Sequence, residues 1–538
     1  MIEIQGIQDH VAEGIAGGWK AVNLGQQKQN ATIECDVVIV GTGAGGGTTA
    51  EILTQAGLDV VLIEEGPLRS SRDFRLNERE AYRDLYQEGA GRAAKDGSIT
   101  ILQGRSVGGS TTVNWTSSFR TPPHTLKHWA DVHGVKGMGV EAMAPWFERA
   151  EKRLNIQPWQ VDPNPNNHVL QAGCEKLGLS WSHIPRNIIG CWNLGYCGMG
   201  CPTNAKQSML VTTIPEALRN GARLYSRARA DKVLFAGDKA VGVRCVGMQE
   251  DGVHSTGVML TVKARQVVLS GGGINNPGLL MRSKAADPHG TLGKRTFLHP
   301  VNAVFARFAE NIEPWSGAPQ SIYSDHFQWK DGATGPMGFK LEAIPLHPGL
   351  AAALIGRYGE AQADDMRHLG QTNGLLALLR DGFTEDSVGG TVSLRDDDTP
   401  VVDYPFSDSL ANGMRRSFLA MAEIQFAAGA TAVRPKQLGA KAYTSWAECS
   451  AAIKDFRIEK FRTGIGSAHV MGGCGMGENP ETSVVNSLGR HHQIEGLAVL
   501  DGSLFPTSIG ANPQLSIYGI TTRLATQLAA ELKPAVHG

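Results

Sequence analysis

Short apolar runs closed by glycine, rather than long amphipathic stretches, set the rhythm of this chain. Cys35–Val40 (CDVVIV) is rich in β-branched residues and predicts a buried strand. Gly41–Gly47 follows it, Thr48–Gln55 resumes helical spacing, and after Gly57 a second run, Val60–Ile63, closes on Glu64. Strand, glycine turn, helix and strand make the βαβ unit of a doubly wound sheet. The same order returns later. Gln266–Ser270 reads as a strand ending in Gly271, Gly272 and Gly273, and Leu497–Asp501 as a strand followed by a loop and the apolar-periodic helix Ser516–Ala530. Residues 131–190 are punctuated by Trp and Pro, while 301–459 mix strand-like alternation with helices such as Ala411–Ala428. Within that stretch, Leu346–Leu354 and Asn373–Leu379 read as apolar helical pieces joined by the charged Gly356–His368.

Nucleotide-type segments therefore sit at both ends and in the middle, which predicts an α/β, Rossmann-type domain with a second domain interleaved by insertion. The expected division is a leader over 1–30, a nucleotide-type domain from 31–130, 215–300 and 460–538, and a second, α+β domain with an antiparallel sheet from 131–214 and 301–459. A length of 538 residues agrees with two domains. Fifty-one Lys and Arg against 52 Asp and Glu leave a net charge of −1, without the basic surplus of a general nucleic-acid binder. No stretch approaches the ~18 unbroken apolar residues of a membrane span. Glycine, at 66 residues, is well above the usual ~7% and points to tight turns and to backbone close to a large ligand. An acid-bearing N-terminus without a long apolar run gives no export signal. Eight cysteines are too few for a disulfide framework, so a cytoplasmic location is expected.

Gly41-Thr42-Gly43-Ala44-Gly45-Gly46 fits G-x-G-x-x-G at a strand-to-helix turn. Gly41 permits the turn, Gly43 lets backbone approach a pyrophosphate, and Gly46 lets helix pack on strand, while the helix N-terminus offers free N–H groups. Glu64, at the end of the next strand, is placed to accept ribose hydroxyls. A second glycine loop runs from Gly104 through Arg105, Gly108, Gly109 and Ser110 to Asn114, as a second polar ring system would require. Asp501 and Gly502 end a strand where ribityl or pyrophosphate contacts fall. His491-His492 sits in a polar turn and is expected to be solvated. Cys191, Cys197 and Cys201, spaced x5 and x3 with Pro202 after the last, have the look of an iron–sulfur loop. A zinc site would want a fourth ligand, and the bland reading is a small-residue loop with buried thiols. Cys474 is expected to pack as a small apolar residue.

Taken together, the first βαβ unit, Gly104–Asn114, Ser270–Ser283 and the block Ser467–Gly477 with Gly510-Ala511-Asn512-Pro513 resemble the glucose–methanol–choline (GMC) family of flavin oxidoreductases, and most of all its long-chain alcohol oxidase and cholesterol oxidase branch. The resemblance implies FAD, held by Gly41, Gly43, Gly46, Glu64, Arg105, Gly108, Gly109, Ser110, Asn114, Ala230, Asp501, Gly502, Asn512 and Pro513. It implies non-covalent flavin, because Val113-Asn114-Trp115 stands where covalently flavinylated members carry a His. It makes His469 the base for a substrate hydroxyl and Asn512 its partner, with hydride passing from the carbinol carbon to flavin N5. The expected substrate is a hydrophobic or bulky alcohol, with oxygen, a quinone or a redox protein as electron acceptor and peripheral membrane contact as an option for the apolar pieces. Rival readings are an iron–sulfur dehydrogenase built on the three cysteines, an NAD-dependent dehydrogenase, and a non-catalytic flavin-binding scaffold.

Overall fold

The computed structural model describes residues 7–533. Its first sheet has the strand order Lys20–Asn23, Arg223–Ser226, Val60–Ile63, Ala31–Val40, Ser255–Leu269, Lys239–Met248, Ala228–Ala236, and Leu497–Val499 also pairs with Ser255–Leu269. The first five strands run parallel. Ser255–Leu269 changes partners along its length. Its first half pairs antiparallel with Lys239–Met248, and its last residues, Val267–Leu269, lie between Val38–Val40 and Leu497–Val499, parallel to both. That handover brings Val40, Ser270 and Leu500 to one edge of the sheet. The predicted Cys35–Val40 and Val60–Ile63 strands and the two flanking helices are present, the helices as Ala44–Gln55 and Gln514–Leu532.

The second sheet runs Ile99–Ile101, Ile465–Ser467, Val301–Arg307, Thr372–Leu379, Phe339–Ala343, Ile322–Ser324, Ser182–His183, and is antiparallel except for its first pair. The fold is thus α/β with a second, mainly antiparallel sheet, and Asp408–Ala428 and Pro165–Leu177 pack on that sheet.

Three expectations change. Residues 20–23, read as leader, form a strand of the first sheet beside Arg223–Ser226; residues 1–6 of that leader lie outside the described residues. Ile99–Ile101 and Ile465–Ser467 come from stretches allotted to the nucleotide-type domain yet pair with each other in the second sheet. Each is three residues long, too short for a pattern to reveal a partner more than 360 positions away. Asn373–Leu379 is a strand, not a helix: Thr372–Leu379 is buried at every position between Val301–Arg307 and Phe339–Ala343. A strand covered on both faces loses its polar alternation, so an apolar run of this length looks the same as a buried helix turn. No helix among the described residues is long and apolar enough to cross a membrane.

Buried amides stitch that strand to the helices covering it. Asn373 Nδ2 donates to Asn166 Oδ1 at 2.8 Å, and Gln425 Nε2 donates to Asn373 Oδ1 at 2.8 Å. All three side chains are fully buried. Asn373→Ala removes one acceptor and one donor from partners that water cannot reach, and is expected to cost about 1–3 kcal/mol per orphaned group. A lower midpoint in urea unfolding with an unchanged slope is the expected reading.

Candidate functional site

A cavity of about 1270 Å³ opens between the two sheets, at the carboxyl ends of the parallel strands, where ligands of such sheets collect. Its floor is glycine backbone. Gly41 has φ +96°, and a Cβ there would stand 2.3 Å from the Ser270 carbonyl oxygen; a Cβ on Gly46 would stand 1.9 Å from the Gly41 carbonyl. Gly43 precedes Ala44–Gln55 and caps it with no side chain, leaving that helix's first N–H groups facing the cavity.

The second glycine loop lies directly on the first. Gly109 has φ +53°, and a Cβ there would be 2.7 Å from Gly43 Cα. Thr42, not singled out in the sequence, ties the two loops to the acid. Its hydroxyl donates to Glu64 Oε2 at 2.7 Å and accepts from Gly108 N–H at 3.0 Å. Thr42 N–H also donates to Glu64 Oε2, and Gly66 N–H to Oε1. A carboxylate has about four acceptor sites, so Glu64 keeps one, on Oε1, for a ribose hydroxyl. Burial pushes its carboxyl up to about 7, against the pull of those donors.

The remaining expected cofactor residues also line the cavity: Arg105, Ser110, Asn114, Ala230, Asp501, Gly502 and Pro513; Gly46 and Gly108 stand just behind it. Arg105 Nη1 donates to the Gly252 carbonyl, and Asn114 Nδ2 to Gln514 Oε1. The Asp501 carboxylate is well supplied with donors, Gly272 N–H and Asn276 Nδ2 on Oδ2 and Ser503 N–H and Oγ on Oδ1, which ties the strand end to the loop after Ser270.

Cys191, Cys197 and Cys201 are half-buried and free. Among the described residues, no three His, Cys, Asp or Glu side chains converge as a metal site. The iron–sulfur reading gains no support from this arrangement, and the loop has a structural role of its own. Fully buried Lys206, five residues past Cys201, donates from Nζ to the carbonyls of Thr112, Asn114 and Cys197, fastening the cysteine loop beneath the second glycine loop. Cys474 is fully buried in the core, as expected. His491 is also buried and its partner His492 bonds Ser483 Oγ and the Gly477 carbonyl, so the doublet is not solvated.

His469 and Asn512 both line the cavity. The sequence missed their supports. Lys340 and Glu342, 1% and 0% exposed at their side chains, form an ion pair at 3.2 Å. Lys340 Nζ donates to Asn512 Oδ1 at 3.2 Å, and Asn512 Nδ2 donates to Glu342 Oε2 at 3.2 Å. An ammonium only donates and a carboxylate only accepts, so the pair fixes the amide's orientation and leaves one Nδ2 hydrogen for the cavity. Lys340 also sits over the rings of Phe119 and Tyr323. His299, fully buried, places Nδ1 3.3 Å from His469 Nδ1. Burial, then the charge of Lys340, pushes the His469 imidazole down to about 3; burial likewise carries His299 well below its ordinary value and Lys340 down to about 8. The signal for Lys340 and Glu342 was present: two opposite charges alternate with Phe339, Leu341 and Ala343 in a strand buried on both faces.

Toward the second sheet the wall turns apolar through Val301, Ala303, Ile344, Leu354, Leu376 and Leu378. Helix Pro348–Ile355, which carries Leu354, is held at its N-terminus by Glu78, whose carboxylate accepts from Gly349 and Leu350 N–H at 2.6 and 2.8 Å.

Two family profiles described as GMC oxidoreductase match residues 82–301 and 386–521. A long-chain-alcohol oxidase of Arabidopsis thaliana is 29% identical over 99% of this chain and 75% of its own length. An uncharacterized GMC-type oxidoreductase of Mycobacterium tuberculosis is 30% identical over 92% of this chain and 76% of its own. Among solved structures, the fold is shared with a formate oxidase of Aspergillus oryzae, at a TM-score of 0.70 and 16% identity over 94% of this chain and all of that one.

Removing one member of the buried ion pair strands the other. Lys340→Met is expected to destabilise the protein by about 3–5 kcal/mol in chemical unfolding. Adding Glu342→Leu to it should recover part of that loss, whereas two equal and additive losses would show that the charges do not interact.

Proposed function

The chain belongs to the GMC oxidoreductase family, and from that we propose that it oxidises a hydrophobic or bulky alcohol to its aldehyde or ketone, with FAD held non-covalently in the cavity between the two sheets. It is an FAD-dependent enzyme acting on CH–OH groups. The observation that carries the reading is the meeting of two features in one cavity: a double glycine cradle at one end and His469 with Asn512 at the other, beside an apolar wall.

The chain's residues fit the cofactor. A Cβ at Gly41, Gly46 or Gly109 would collide with the neighbouring backbone that forms the cradle, the helix N-terminus at Ala44 suits phosphates, and Glu64 retains an acceptor site for a ribose hydroxyl. No His or Cys stands at 113–115 to form a flavin linkage. FAD bound there would supply the two-electron acceptor for the hydride of the carbinol carbon.

The protein's part is to hold the alcohol. Asn512 offers an N–H whose direction Lys340 and Glu342 fix. His469 faces the same space, and where its proton lies decides whether it accepts the hydroxyl proton, the role expected from the sequence, or donates to the oxygen. The apolar wall from Val301 to Leu378 removes water from the alkyl chain, at about 0.8 kcal/mol per buried CH₂, so affinity is expected to rise with chain length. Oxygen is our choice of electron acceptor, in keeping with the relatives named as oxidases.

Two outcomes follow. His469→Gln and Asn512→Ala should keep bound flavin yet slow its anaerobic reduction by a long-chain alcohol by ~10²–10³ in stopped flow; wild-type rates in both would defeat the assignment. Burial holds the Glu64 carboxyl up at about 7, and a ribose hydroxyl bond favours its carboxylate, so binding below that pH is expected to release a proton. FAD affinity should therefore weaken as pH falls from 8 to 6, by up to ~10-fold per unit, and Glu64→Gln should flatten that dependence in equilibrium dialysis.

A further inference from the structure

Resting on the reading above, we propose that His299 is a positioning residue that fixes the His469 proton on Nε2, so that His469 meets the alcohol oxygen as a hydrogen-bond donor. Three hydrogen-bonding groups in a row set where the protons lie. Gly510 N–H donates to His299 Nε2 at 2.9 Å. A backbone amide nitrogen can only donate, so His299 Nε2 must carry a lone pair, and a neutral imidazole then holds its one hydrogen on Nδ1. That Nδ1 lies 3.3 Å from His469 Nδ1. Two ring nitrogens bond only when one of them carries the hydrogen, and His299 already does. His469 Nδ1 is therefore the acceptor, and its own hydrogen sits on Nε2, which makes no hydrogen bond among the described residues in a ring that lines the cavity. Deep burial keeps both rings neutral, which agrees with a single hydrogen on each. The reversed arrangement would set a His299 Nε2–H against the Gly510 N–H.

The backbone is built to hold His299 there. It has φ +45°, a left-handed conformation that side-chain-bearing residues rarely adopt. Buried Asp381 maintains it, accepting from His299 N–H at 3.3 Å and Leu298 N–H at 3.2 Å, with the Tyr404 hydroxyl donating to the same carboxylate. Gly510, two residues before Asn512, links the two arms of the site. The base role expected of His469 needs a bare Nε2, which this chain of bonds withholds. Instead, His469 Nε2–H and Asn512 Nδ2–H are two donors that can hold one substrate oxygen in the cavity.

The test uses the FAD-loaded full chain labelled with ¹⁵N-histidine, in long-range ¹H–¹⁵N spectra that tell the two neutral tautomers apart. The His469 signals are identified by their loss in His469→Gln. Wild type at pH 7 is expected to show the Nε2–H form, with the other tautomer below about a tenth, since the alternative leaves buried groups facing like groups. In His299→Leu the two tautomers should become comparably populated. A wild-type His469 carrying its hydrogen on Nδ1 overturns the proposal, as does a His299→Leu spectrum with the tautomer unchanged. If that variant fails to fold, His299→Phe is the substitute, and the wild-type spectrum decides by itself. An Nε2–H tautomer in a protein whose flavin no alcohol reduces would defeat the proposed function and leave this inference standing. A flavin reduced by alcohols with His469 in the Nδ1–H form would do the reverse.

Discussion

Two glycine loops lie back to back, and the rest of the crevice takes its position from that contact. With Gly109 so close that a Cβ would press on Gly43 Cα, the loop after Gln103 packs backbone to backbone on the first βαβ turn. Thr42 bonds both loops at once and draws Glu64 into the same corner. Gly45 adds a third close approach, since a Cβ there would fall 2.0 Å from the Leu500 carbonyl. Backbone packed this tightly leaves amide groups, rather than side chains, as the surface offered to a cofactor. It also explains why a chain of ordinary charge carries so much glycine.

From that corner, order passes outward through buried polar groups. Gln514 accepts from Asn114 and Tyr518 and donates to Ser117 and Ser118, joining the second glycine loop to the start of the C-terminal helix. Lys206 supports the same loop from beneath. On the opposite side, the second sheet brings Lys340 and Glu342 to Asn512, and Asp381 holds the strained His299 against His469. Buried charges of this kind are costly unless paired and hydrogen-bonded, and here the pairing orients Asn512 at the cavity wall and His299 against His469. The first sheet thus carries the glycine cradle and the second the apolar wall, and His469 and Asn512 stand on loops gripped by both.

Much of this was legible in the chain. The first βαβ unit, the second glycine loop and the C-terminal helix were marked by local patterns, because turn glycines and strand runs speak for themselves, whereas His469 and Asn512 stood out only through the family resemblance. What was not legible depended on distant partners. Thr42 looks like spacing within a glycine motif until Glu64 and Gly108 close on it. Ile99–Ile101 and Ile465–Ser467 have meaning only as a pair. Asn373–Leu379 lost its strand signature to complete burial. The cysteine loop drew attention to its sulfurs, whereas its buried anchor is Lys206. His299 left one faint sign, a lone His before a proline; its left-handed backbone and its contact with His469 belong to the tertiary structure alone.

The central claim is that one cavity brings a bound FAD and the oxygen of a hydrophobic alcohol together. The visible absorption spectrum of the purified, FAD-loaded protein, recorded without oxygen before and after adding a long-chain alcohol, tests it most directly. The expected result is two resolved flavin bands with no broad absorption beneath them, both bleached by the alcohol. Flavin bands that persist with every hydrophobic alcohol, yet bleach at once with dithionite, would contradict it.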